Sequence, residues 1–159
     1  MITGKEARRV RERLDLAMEP GMDMKKRGAL CVEILFEELE NYDWVGIYWL
    51  EGEELVLGPF KGAPTEHERI PVGRGVCGTA VQEERNQVVE DVRRLSNYLA
   101  CSLETRSEIV VLIKDREGRI LGQIDADGHR PGAFDATDEA LLEEAARWIA
   151  GPGPREEKP

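Results

Sequence analysis

The chain has 159 residues, 41% of them hydrophobic and 34% charged, which is enough for one domain with a real core and argues against two. Its formal net charge of −10 disfavours nucleic acid and anionic membrane surfaces as partners, and suits a small cationic or zwitterionic ligand. No apolar run approaches the ~20 residues of a membrane span and no signal-peptide core opens the chain, while three cysteines (Cys31, Cys77, Cys101) do not make a disulfide scaffold; a cytoplasmic, reducing location is expected.

In chain order, Ala7, Val10, Leu14 and Leu16 fall at roughly helical spacing among charges and predict an amphipathic helix over 5–18. Pro20 and Gly21 interrupt it. Asp23 is a candidate cap for a second helix over about 24–39, with its period marked by Leu30, Ile34, Leu35 and Glu38. Cys31, inside that helix, reads as a small buried hydrophobe. These N-terminal helices (1–40) precede a core at 41–150.

The aromatic and β-branched run W-V-G-I-Y-W-L predicts a strand over 44–50. Glu51-Gly52-Glu53 turns it, 55–57 returns as a hairpin arm, and 58–66, rich in Gly and Pro, reads as loop. A short strand over 68–72 leads into V-G-R-G-V-C-G. Gly73 and Gly75 flank Arg74 there, so the backbone can take positive φ and present amide N–H groups to a ligand. V-C-G-T-A-V then opens a short helix, whose N-terminal partial charge favours a thiolate at Cys77.

Strands are expected over 86–90, 108–113 and 120–125, the last two joined by the D-R-E-G turn. Residues 91–100 read as irregular or part helical. A helix over 134–150 has Asp135 or Thr137 as its cap and Leu141, Leu142, Ala145 and Trp148 on one face, and the tail 151–159 is expected to be disordered. The sum is an α+β domain, an antiparallel sheet with its N- and C-terminal helices on one face.

Several side chains suggest chemistry. Glu108 opens an apolar run, where a buried carboxylate is expensive without a partner. Asp125 and Asp127 are two apart in a strand and share a face. Three carboxylates in one enclosed pocket repel, so at least one is held protonated near neutral pH and can donate a proton. Trp44 and Tyr48 share a face and by themselves read first as core, with pocket lining as the alternative, whereas Trp49 points to the other face as packing. No cysteine–histidine spacing suggests zinc, and His67, in an E-H-E stretch, reads as a solvated surface residue or a proton shuttle.

The strings W-V-G-I-Y, E-L-V-L-G-P-F, R-I-P-V-G-R-G-V-C-G-T-A, A-C-S, S-E-I-V-V and Q-I-D-A-D together resemble a GAF domain, and more narrowly the free methionine-(R)-sulfoxide reductases. The resemblance implies an antiparallel sheet with helices on one side and a ligand pocket on the other. It implies reduction of free methionine (R)-sulfoxide with electrons from thioredoxin, and no bound cofactor is expected; a homodimer is expected from the apolar stripes on the terminal helices. By position Cys101 matches the catalytic cysteine, Cys77 the second cysteine, Trp44 and Tyr48 the aromatic pocket residues, and Glu108, Asp125 and Asp127 the acidic cluster. The family usually has a third cysteine where this chain has His67, so the resolving disulfide is Cys77–Cys101 or an external thiol does the work. The family's frequent proline is Leu112 here. A non-catalytic GAF sensor of a small ligand or of redox state is the alternative reading.

Overall fold

The computed structural model describes residues 2–95 and 104–151. Two expectations, the nucleophile at Cys101 and the tail beyond Gly151, lie outside the described residues.

Local signals set the helix starts. Thr3 and Glu6 cap α1 (Gly4–Ala17) reciprocally, the Thr3 hydroxyl accepting from Glu6 N and the Glu6 carboxylate from Thr3 N, both at 3.0 Å. Asp23 caps α2 (Met24–Glu38) by accepting from Lys26 N at 2.8 Å. Among the described residues the six strands are β1 (Trp44–Glu51), β2 (Glu54–Lys61), β3 (Arg69–Pro71), β4 (Gln87–Val89), β5 (Ser107–Lys114) and β6 (Ile120–Gly128). They form one antiparallel sheet in the order β3-β2-β1-β6-β5-β4. α3 (Gly75–Glu83) lies between β3 and β4 in sequence, and α4 (Ala136–Ala150) closes the domain.

The period-2 alternation of the central strands sorts the core into two clusters. Val45, Ile47, Trp49, Ile109, Val111, Ile113, Ile124 and Ala126 face α1, α2 and α4, as expected for the N- and C-terminal helices. Trp44, Tyr48, Val110 and Leu112 face the other way, and there Val76, Cys77, Ala80 and Val81 of α3 pack on them. The short helix therefore covers the face that the long ones leave open. Trp49 is in the first cluster, as its position in the alternation predicts, and Lys25 Nζ sits 5.3 Å from the centre of its ring.

Three expectations change. β2 runs on to Lys61, through the Gly58–Pro59 pair that reads as loop. The β1–β2 register shifts between Gly46 and Tyr48, opposite that pair, and such an irregularity tolerates a proline that cannot donate to the ladder. In α4 Ile149 is fully buried and Trp148 only half-buried, so the stripe is rotated from the expected one. Leu16 of α1 is 85% exposed rather than part of the core-facing stripe. Among the described residues no helix is long and apolar enough to cross a membrane.

Candidate functional site

Strand register assembles the acidic residues. Trp44 of β1 stands opposite Asp127 of β6, which stands opposite Glu108 of β5. Two residues along, Gly46, Asp125 and Val110 form the next row, and then Tyr48, Gln123 and Leu112. All belong to the sheet face covered by α3. Glu108 is 2% exposed, and Asp125 and Asp127 are fully buried. Gly46 matters for the absence of its side chain: a Cβ there would lie 2.4 Å from Cη2 of Trp44, so the indole occupies the space over the glycine, in the row of Asp125. Phe60 stacks on the same indole with ring centroids 5.6 Å apart.

α3 brings sulfur to this surface. Arg74 is its N-cap residue, in extended backbone, and Cys77 sits in the first turn. The Cys77 thiol donates to Glu108 Oε2, with Sγ 3.8 Å from that oxygen. Cys77 Sγ and one carboxylate oxygen each from Glu108 and Asp125 all lie within 4.8 Å of one another. Gln123, also fully buried, donates from Nε2 to the Cys77 carbonyl oxygen at 3.1 Å and so fixes the helix backbone over the sheet. Gly78 permits that approach, because a Cβ there would come within 2.6 Å of Pro71 O. Thr105 Oγ1 lies 3.5 Å from Asp127 Oδ2.

Burial, followed by the charges of Asp125 and Asp127, holds the Glu108 carboxyl well above the ordinary glutamate range. A carboxylic acid that keeps its proton near neutral pH can donate it to an oxygen placed against it. Cys31 is different: it is wholly buried in the helix-side core, and burial pushes its thiol up to about 12, which makes it inert at neutral pH.

Of the residues singled out from sequence, the structure brings together Cys77, Glu108, Asp125, Asp127 and Trp44, with Tyr48 two rows from Asp127 on the same face. Trp44 and Tyr48 also hold the segment between β2 and β3. Trp44 Nε1 donates to Ala63 O at 2.9 Å, and Tyr48 OH donates to His67 O at 2.8 Å. The glycine turn departs from expectation. Gly73 and Gly75 do take positive φ (97° and 64°), but Gly73 N donates to Gly78 O and Arg74 N to Pro71 O. These two amides close the turn on its own carbonyls and are not available to a ligand. Sequence reasoning missed Gln123 and Gly46; Gln123 was within reach, since it shares the period-2 face of Asp125 and Asp127.

The model of the GAF domain matches residues 23–150 of the chain. GAF domain-containing protein A of Dictyostelium discoideum is 42% identical over 119 residues, 74% of each protein. The free methionine-R-sulfoxide reductase of Escherichia coli is 43% identical over 109 residues, 69% of this chain and 65% of that one. Among solved structures, the free methionine-R-sulfoxide reductase of Neisseria meningitidis in complex with its substrate superposes with a TM-score of 0.81 at 37% identity, over 94% of this chain and 90% of that one. With the family model spanning most of its length and such relatives on either side, the chain belongs to the GAF domain family.

Proposed function

We propose that this protein is a thiol-dependent reductase of free methionine (R)-sulfoxide, with Cys101 as nucleophile. The observation that carries the reading is the buried cluster of Glu108, Asp125 and Asp127, on two neighbouring rows of the sheet, with the Trp44 indole at one end and the Cys77 thiol against Glu108, in a fold shared with a reductase solved with its substrate bound. Each part of a sulfoxide substrate finds a complement there. The indole offers an apolar, polarisable wall to the S-methyl group. A protonated carboxyl, Glu108 with Asp125 beside it, faces the sulfoxide oxygen, and ionised Asp127 holds the ammonium.

In this reading the Cys101 thiolate attacks the sulfoxide sulfur while the carboxyl protonates the oxygen. The S–O bond breaks, the oxygen ends on Cys101 as a sulfenic acid, and methionine leaves two electrons richer. The Cys77 thiol then attacks that sulfur and water departs, leaving a Cys77–Cys101 disulfide. Two thiols of thioredoxin return both cysteines to the reduced state by exchange. No bound cofactor is needed, and a reducing cytoplasm suits the cycle.

An NADPH-coupled thioredoxin assay with free methionine (R)-sulfoxide tests this. Turnover is expected for the wild type and lost in Cys101→Ser, while Glu108→Gln slows methionine formation in a single turnover. Peptide-bound sulfoxide, which lacks the free ammonium, is expected to be a poor substrate. A fully reduced protein with no turnover would return the chain to the sensor reading.

A further inference from the structure

The first turn of α3 is tied to the rest of the molecule at two successive carbonyls. Gly78 O accepts from Gly73 N at 2.9 Å, and Cys77 O accepts from Gln123 Nε2 at 3.1 Å. The first tie comes from the glycine turn just before the helix, whereas the second crosses from β6, 46 residues away in the chain. With both carbonyls held, the Cys77 backbone is fixed over the sheet and its sulfur moves by rotation about χ1. In the observed rotamer Sγ lies 3.8 Å from Glu108 Oε2.

Gln123 is costly where it stands. It is fully buried, in a row with Tyr48 and Leu112, and its Oε1 has no hydrogen-bond partner among the described residues. A leucine or methionine there would fill similar space without stranding an acceptor. What the amide adds is the bond made by its other end. A carbonyl oxygen only accepts, so Nε2 is the end that faces α3, and the bond to Cys77 O is the one that this side chain makes among the described residues. A polar group kept buried at such a cost belongs with function more than with packing.

We propose that Gln123 is a positioning residue for the Cys77 thiol, holding the first turn of α3 so that the sulfur stays in place for disulfide formation. The hold on the thiol follows from the tie between β6 and α3, while its use in the disulfide step rests on the reductase reading. In that step the Cys77–Cys101 bond forms and the S–O bond of the sulfenic acid breaks. The hydroxyl departs as water with the Cys77 thiol proton, and the sulfoxide has already supplied the oxidation. Gln123 acts through the Cys77 backbone and not on the reacting atoms. An attacking group displaced by about 1 Å can slow its step by about 100-fold, so the tie matters to rate.

NMR of the wild type tests the tie itself. The Gln123 side-chain amide protons should exchange slowly and show a hydrogen-bond coupling to the Cys77 carbonyl carbon; fast exchange without that coupling overturns the proposal. Gln123→Met fills similar space and donates nothing, and circular dichroism checks that it is folded. In the reduced variant, alkylation of Cys77, read by mass spectrometry, should run about two- to tenfold faster than in wild type, as expected for the loss of one hydrogen bond that holds the turn closed. An unchanged rate overturns the positioning. A single turnover with free methionine (R)-sulfoxide, without thioredoxin, then separates two steps: methionine formation, and loss of the Cys101 sulfenic acid that dimedone traps. Gln123→Met should slow the second at least about tenfold more than the first. Equal slowing of both, or of neither, overturns the role in the disulfide step. A wild type that forms no methionine overturns the reductase reading, and the alkylation rates then decide the positioning by themselves.

Discussion

Glu108 is a carboxyl group in a place that favours its neutral form, because burial and two neighbouring carboxylates all act against the charge. The consequence for stability has a definite sign. The folded value is raised, so this group's contribution is fully present below the unfolded glutamate value of about 4.3 and is lost as pH rises through the folded value. Glu108→Gln, which cannot ionise, should therefore gain stability relative to wild type as pH rises from about 4, and the gain should level off above the folded value. Urea unfolding at a series of pH values measures this; a difference that stays flat with pH would mean that Glu108 is ionised in the fold. The residue types at this site were legible because strand alternation puts Asp125, Asp127, Trp44 and Tyr48 on defined faces. That Gly46 makes room for the indole two residues away in the same strand was not, since the way the Trp44 side chain lies along β1 depends on Phe60 of β2 stacked against it.

Helices begin and end where local chemistry says, with a residue or two of drift. Asp135 illustrates the strength of such signals. Its side chain accepts from Thr137 N and Asp138 N while Asp138 reaches back to Asp135 N, a reciprocal cap at the start of α4. Hydrogen bonds, first that of the Thr137 side chain, hold its carboxyl down at about 2. The cap is thus intact above the unfolded aspartate value of about 3.9 and is lost as pH falls through the folded one. Asp135→Ala is expected to cost about 1 kcal/mol at neutral pH, and the cost should shrink in acid. Chemical denaturation at pH 7 and pH 2 checks both parts. β2 shows the opposite case. Gly58 and Pro59 carry strong loop signals, yet pairing with β1 draws them into the sheet at a register shift. Local preference gave way to the ladder on either side.

Over the whole molecule, the sheet separates a thick helical layer from a thin one, and the site lies under the thin one. The thick layer is tied together by a buried arginine. Arg27 of α2 donates to Ile149 O at 2.8 Å, to Ala150 O at 3.2 Å and to Met22 O, holding the last carbonyls of α4 against the start of α2. The backbone at Gly151 passes so close that a Cβ there would meet Arg27 Nη2 at 2.5 Å. Arg27→Leu leaves these carbonyls without their donor and should destabilise the fold by about 1–3 kcal/mol. Hydrogen exchange should show faster opening at the end of α4, with the central strands responding less; uniform protection across α4 would remove Arg27 from this role.

The amino-acid sequence by itself determined the α+β class, the helices and strands among the described residues to within a few residues apart from the far end of β2, and which acids and aromatics share a sheet face. Those properties follow from periods of 2 and 3.6 and from caps and turns, all of which act between residues near one another in the chain. Tertiary structure alone decided that β1, β6 and β5 lie side by side in the register that lines Trp44, Asp127 and Glu108 in one row. It also decided that α3 crosses to the open face and sets Cys77 against Glu108, and that the glycine turn spends two of its amides on its own carbonyls. The reason is physical: strand order, register and the burial of charge are settled by contacts between distant segments, and no local pattern records how those segments meet.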